Sequence, residues 1–209
     1  MTTIGLISDV HATPAPVAEA LAIFAREGVD QVYCAGDIAG YGNELEKTVT
    51  LLVDSACRSI VGNHELMYLD HLEDDAIDKA AEYFKGLPAT IDETIEGKHL
   101  YMVHAHPPDA SMGGIRLLDR NGKVDPEAVT RWAGQLEKFD CDVLVVGHTH
   151  QVFVERVGRV LVVNPGSTAF NHSCAILHLP EMTVQTYPLS GKVILKSWNW
   201  GDHVIEPGF

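Results

Sequence analysis

"IGLISDVHATPAPVAEALAIFAREGVDQVYCAGD", residues Ile4–Asp37, holds two short apolar runs separated by one amphipathic segment. Residues 4–8 are mostly apolar and suit a strand. After a proline-containing turn, "PVAEALAIFAREG" repeats its apolar residues at helical spacing and stops at Gly28. "QVYCAG" reads as a second strand. Strand, helix and strand in that order imply a crossover between parallel neighbours, which points to an α/β fold with helices packed on a sheet.

The alternation continues outward. "NELEKTVTLLVDSA" predicts a helix from near Asn43 and "CRSIVG" a third short strand. Residues 73–88, "EDDAIDKAAEYFKGLP", carry acids at the start and lysine, glycine and proline at the end, as one helix would. "TIDETIEG" and "KHLYMVH" then form a hairpin, and Pro107–Val124 reads as a long loop. Asp125 and Pro126 supply a cap and a first helical residue for "EAVTRWAGQLEKF". From Asp142 the chain turns to strands, "DVLVVG", "QVFVERV", "RVLVVN", "CAILHL" and "TVQTYPL", expected to add a second, mainly antiparallel sheet. With no repeat or linker, the expectation is a single domain over residues 1–209. Its fold class is α/β, a four-layer αββα sandwich of two mixed β-sheets flanked by helices.

Composition narrows the function. Hydrophobic residues make up 46% of the 209 and charged residues 21%, far from a disordered composition. A formal net charge of −14 argues against an extended nucleic-acid surface, which needs clustered Lys and Arg. Cys34, Cys57, Cys141 and Cys174 show no C-x-x-C spacing and read as reduced thiols of a cytoplasmic protein. "MTTIGLISDVH" lacks the basic and apolar regions of a signal peptide, and no apolar run approaches the roughly 18 residues of a membrane span. A soluble protein without a membrane partner is expected.

The strands end on residues that a packed core would not select. The first ends in Asp9-Val10-His11, the second in Gly36-Asp37, and the third in Gly62-Asn63-His64-Glu65. The hairpin strand ends in His104-Ala105-His106 and the next in Gly147-His148-Thr149-His150. Ligands of α/β sheets bind beyond the carboxyl ends of the strands, so these segments are expected at one rim. Singly, Asp9 or Asp37 could cap a helix, Asn63 could set a turn, and the histidines could be surface groups. Together, carboxylates, an amide and imidazoles at one rim would repel or stay unpaired unless positive charge sits among them, as in a dinuclear metal centre.

The ordered set D-x-H, G-D-x-x-G, G-N-H-[DE], a strand-terminal His and G-H-[TS]-H resembles the calcineurin-like metallophosphoesterases, from Asp9 to about Ser167. "GDIAGYG" looks most like their small bacterial and archaeal phosphodiesterase branch. The arginine of the protein-phosphatase motif has no counterpart, since Gly40, Tyr41 and Gly42 stand there. The resemblance implies that Asp9, His11, Asp37 and His150 hold one metal, and that Asp37, Asn63, His104 and His148 hold the other. It implies two divalent or transition ions (Mn, Fe, Ni, Co or Zn) that activate a hydroxide for attack on a small phosphate ester. His64 is implied to be the general acid. A diester is the expected substrate, with monoesters not excluded.

Four further residues are candidates for substrate contact or support of the site. Glu65 either orients its neighbours or is a surface helix-start carboxylate. His106 is a contact or an ordinary rim histidine, and Tyr41 packs or meets substrate. Arg116, with Met112 and Arg120, borders the site or lies in a solvent loop. His71, His99, His172, His178 and His203 have no motif support and read as structural or exposed. Trp198 and Trp200 could cover a sheet or form a homo-oligomer contact. The competing readings are a non-catalytic protein-binding module on the same scaffold, disfavoured by the complete ligand set, and a nuclease, disfavoured by the acidic charge.

Overall fold

A computed structural model describes residues 1–72 and 78–199. β1 (Thr2–Ile7), α1 (Pro14–Glu27) and β2 (Gln31–Cys34) make the expected crossover unit, with β1 and β2 parallel and Ile7 opposite Cys34. α2 (Leu45–Asp54) leads to β3 (Arg58–Ser59), which pairs in parallel with β2. α3 (Asn63–Asp70) begins inside the Gly62–Glu65 motif, with Glu65 in its first turn. α4 (Lys79–Lys85) is capped by the Asp78 side chain, which accepts the Ala81 N–H. Residues 73–77, expected to open that helix, lie outside the described residues.

β4 (Thr90–Ile95) and β5 (Lys98–Val103) are the expected hairpin. The segment from Pro107 to Val124 contains no named helix or strand. α5 (Pro126–Leu136) starts where Asp125 accepts the N–H groups of Glu127 and Ala128. Five strands follow: β6 (Val143–Val145), β7 (Val152–Val157), β8 (Val160–Pro165), β9 (Ser173–Leu179) and β10 (Thr183–Pro188).

One sheet has the order β10-β9-β1-β2-β3 and the other β4-β5-β6-β8-β7. This corrects the expected mainly antiparallel C-terminal sheet. β9 and β10 join the first sheet, where β9 runs antiparallel to β1, and the second sheet is mixed because β5, β6 and β8 are parallel. Alternation of side chains shows only that β9 is buried on both faces, and such a strand can join either sheet.

Three apolar layers hold the four structural layers together. Ile4, Leu6, Leu100, Met102, Val143, Val145, Ala175 and Leu177 pack between the sheets. Their alternates face outward: Ile7, Cys174 and Ile176 meet α1 through Val17, Ala20 and Phe24. On the opposite side Tyr101, Val103, Leu144 and Val162 meet α5 through Leu136, Val129 and Trp132. Each buried aliphatic side chain contributes about 1.5–3 kcal/mol. Both sheets are thereby fixed with the carboxyl ends of β1, β2 and β3 facing those of β5 and β6. Gly147 N–H donates to His104 O at 2.8 Å, and an isolated parallel bridge joins Ser8 to Ser167 across the same rim. Among the described residues, no helix is long and apolar enough to cross a membrane.

Candidate functional site

The turn after each of these strands folds over its neighbour. Asp9 N–H donates to Gly36 O and His11 N–H to Asp37 O, both at 2.9 Å, so the turns after β1 and β2 run side by side. Asp9, His11, Asp37, His148 and His150 have φ of 50°, 51°, 54°, 62° and 48°. Left-handed backbone costs a non-glycine residue roughly 1–2 kcal/mol, and such strain gathers where function requires it. Five of the seven residues read as metal ligands carry it.

Asp9 is buried and held on every side. Ser8 Oγ donates to its Oδ2 at 2.6 Å, the His148 N–H reaches Oδ1 at 3.0 Å, and Ser167 Oγ donates to its carbonyl at 2.6 Å. Gly147 must lack a side chain here, because a Cβ would come within 2.8 Å of Asp9 Oδ2 and collide with Ser8 Oγ. His150 Nε2 lies 3.3 Å from Asp9 Oδ1 and 3.1 Å from His11 Nε2. The Nδ1 of His11 faces Ala39 O at 3.1 Å, which turns its Nε2 to this cluster.

Asp37 stands at the centre. Its Oδ1 accepts the His64 N–H at 2.9 Å, and its Oδ2 lies 3.3 Å from His104 Nε2. His104 Nδ1 is fixed by Ala35 O at 2.7 Å. Asn63 Oδ1 lies 3.2 Å from His104 Nε2 and 2.9 Å from His148 Nδ1. Asp37 Oδ2 and Ser111 O point to the same amide position, at 3.3 and 3.2 Å. This set of lone pairs is met by the Asn63 NH2 when the amide turns it toward them, by a protonated imidazole or by a cation.

Electrostatics agree. Burial works against charge on His104, but the Asp37 carboxylate outweighs it and pushes the imidazole up to about 9. Burial raises the carboxyls of Asp9 and Asp37, yet the imidazoles of His150 beside one and His104 beside the other hold both below the ordinary carboxylate range. Burial and His150 press His11 down to about 4, so its ring is neutral. Without a metal the chain thus presents ionised carboxylates, a neutral His11 and a protonated His104 to a common centre. Three groups have ligand atoms within 4.8 Å of one another: Asp9, His11 and His150; Asp37, His104 and His148; and His11, Asp37 and His64. Residues of these types at this spacing fit bound metal ions.

Glu65 differs from one of its two expected placements. It is not a surface carboxylate: it is 0% exposed. Its Oε2 accepts the N–H groups of Asp37 at 2.9 Å and Gly62 at 2.7 Å, and its Oε1 accepts that of Ala39 at 2.7 Å. Burial and the Asp37 charge push it up to about 7. His64 lies edge-on to His11 and Tyr41, both ring centroids 4.9 Å away. Tyr41 is 41% exposed and also touches Phe170.

His106 stands apart from the cluster. Its Nδ1 faces Pro107 O, and its ring lies 5.9 Å from Trp132 of α5. Arg116 and Met112 are exposed. The segment that carries Arg116 is pinned to the G-H-T-H turn. Thr149 Oγ1 donates to Ile115 O, and Gln151 accepts from the Leu117 and Leu118 N–H groups. His99 pairs with Asp92, and His71 with Met67 O. Trp198 packs on Phe170, and its backbone N–H donates to His150 O, so the chain near Ser197 covers the edge beside Gln151. Trp200 and His203 lie outside the described residues.

Ser8, Ser167, Asn164 and Gln151 were not read from the sequence as parts of the site. Small polar residues at strand ends are ordinary there. Only their place beside D-x-H, N-P-G-S and G-H-T-H could have marked them.

A model of the calcineurin-like phosphoesterase superfamily domain matches residues 2–182. The chain belongs to that superfamily. A protein of Methanocaldococcus jannaschii described as uncharacterized is 26% identical over 179 residues, covering 78% of this chain and 68% of that one. A metallophosphoesterase from Sphaerobacter thermophilus shares the fold at TM-score 0.71 and 20% identity, covering 90% of this chain and 89% of that one. A structure described as a novel archaeal phosphodiesterase superposes at TM-score 0.58 and 19% identity, covering 90% of this chain and all of the other, 100%. Superfamily membership fits the site geometry, in which Asp9, His11, Asp37, Asn63, His64, His104, His148 and His150 come together.

Proposed function

We propose that this protein is a metal-dependent phosphodiesterase acting on a small substrate through two metal ions. The observation that carries this reading is the convergence of six side chains about Asp37. Asp9, His11 and His150 would hold one ion, and Asn63, His104 and His148 the other, with Asp37 shared between them. Imidazole with carboxylate or amide oxygen suits Mn, Fe, Ni, Co or Zn. When bound, such a pair supplies charge to the phosphoryl oxygens and acidifies a water for in-line attack.

The chain's own groups do the rest. Asp37 ties the two halves of the site, and Asn63 adds a donor without adding charge. His64 is oriented by the bond from its backbone N–H to Asp37 Oδ1 and by its contacts with His11 and Tyr41. In that position it acts as general acid, giving a proton to the leaving oxygen. Glu65 holds the turns after β2 and β3 at a fixed separation.

Three features support a small diester. Among the described residues, no lysine or arginine hydrogen-bonds or pairs with these side chains, so a singly charged diester fits better than a dianionic monoester. The net charge of −14 disfavours nucleic acid. A structural neighbour is described as a phosphodiesterase. The four cysteines are free, in keeping with a cytoplasmic setting.

Hydrolysis of bis(4-nitrophenyl) phosphate, measured with each of the five metals and after chelation, tests the proposal. Activity that needs added metal and disappears in Asp37→Asn is expected. Equal turnover in the chelated wild type or in Asp37→Asn would remove it.

A further inference from the structure

The loop after β2 lies directly on the site. Gly40 has φ of 114°, and a Cβ there would come within 2.7 Å of His64 Nδ1 and 2.9 Å of His11 Nδ1. The backbone therefore rests on two of the site's rings, and the next side chain to leave it is Tyr41. That ring sits 4.8 Å from His11 and 4.9 Å from His64, edge-on to both. It also meets Phe170 at 5.6 Å and 80°. Phe170 in turn stacks on His150 at 5.3 Å and 18° and touches Trp198.

An aromatic wall thus runs from the cation-binding side chains to the rim, and its outermost described member stays 41% exposed. The contacts with His11, His64 and Phe170 fix the tyrosine ring, so a partner would meet it already oriented. Aromatic rings prefer an offset-stacked or edge-to-face partner, and such a pair contributes beyond plain area burial. A flat group suits this wall.

We infer that Tyr41 contacts the substrate by stacking on a flat aromatic group beside the phosphate, so that the substrate class is a nucleotide or aryl ester rather than an aliphatic one. This rests on the phosphoesterase reading above. Since Tyr41 adjoins His64, the stacked ring belongs to the ester arm whose oxygen His64 protonates.

Adenosine 5′-monophosphate and ribose 5-phosphate differ by the base alone and provide the test. Their dissociation constants are measured by calorimetry with the manganese-loaded wild type, Tyr41→Ala and Tyr41→Phe. The wild type is expected to favour the adenosine ligand about tenfold or more, the size of one base stacked on an aromatic side chain. The ratio should fall to near one in Tyr41→Ala and persist in Tyr41→Phe. A ratio near one in the wild type, or one undiminished in Tyr41→Ala, would overturn the inference and leave the phosphoesterase proposal standing. Failure of the loaded wild type to bind either phosphate, together with no metal-dependent hydrolysis of bis(4-nitrophenyl) phosphate, would remove both.

Discussion

The Glu65 carboxylate and the Asp37 backbone are hydrogen-bonded at 2.9 Å, although 28 residues separate them in the chain. With its bonds to Gly62 and Ala39, Glu65 joins the turn that carries Asp37 to the turn that carries Asn63 and His64. The chain therefore sets the spacing of these side chains through a buried acceptor that touches backbone alone among its hydrogen-bond partners. Glu65→Gln replaces one acceptor oxygen by an NH2 group facing backbone donors. We expect it to cost about 1–3 kcal/mol in the metal-free protein, measured by urea denaturation. Manganese affinity should fall about 10–100-fold, as when an outer partner of a metal ligand is lost. Unchanged affinity in a destabilised variant would assign Glu65 to stability alone.

His148 and His150 are separated by Thr149 yet face different partners. His148 Nδ1 turns to Asn63, whereas His150 Nε2 turns to Asp9 and His11. His150→Ala should weaken the ion held with Asp9 first, and His148→Ala the ion held with Asn63 and His104. Metal content after dialysis, with stepwise titration, reads this directly. Loss of the same single ion in both variants would defeat the division.

His64 belongs to a possible ligand group with His11 and Asp37 and is also the proposed proton donor. His64→Ala separates these roles. As a general acid it should lower kcat about 10²–10⁴-fold with both metals retained. The loss should steepen as the leaving group becomes more basic, measured across a series of substituted aryl esters. Loss of one metal would make His64 a ligand instead.

Much of this site was legible because its chemistry is local to each motif. Asp9-x-His11, Gly36-Asp37 and Gly147-His148-Thr149-His150 each end an apolar run, and that position alone brings them to the strand ends. Partnership across the fold was not legible. The segment "CAILHL" is apolar on both faces, which declares burial without naming the sheet, and β9 packs beside β1. Glu65 reads locally as a helix-start carboxylate. Its buried place depends on two turns that meet it only after the sheet has formed. His106 follows His104 at strand spacing, but the chain turns back at once through the His106–Ala110 bridge and carries the ring to Trp132.

His104 yields a prediction with two opposite signs. In the metal-free site its pKa stands at about 9 against an ordinary 6.5, because Asp37 outweighs the burial penalty. The raised folded value means that its protonation stabilises the fold fully below about pH 6.5 and that this contribution is lost as pH rises through about 9. A metal ion at His104 Nε2 must displace that same proton. The affinity of the Asn63–His104–His148 group should therefore rise with pH over this window, by about tenfold per unit from this residue. Two measurements check the pair of trends: urea denaturation of the chelated protein at pH 6.5, 7.5 and 8.5, and manganese titration at the same values in buffers of differing ionisation enthalpy. A proton released on binding at pH 7.5, together with falling metal-free stability, is the expected result. Binding without proton release would show that Asp37 does not hold His104 in its charged form.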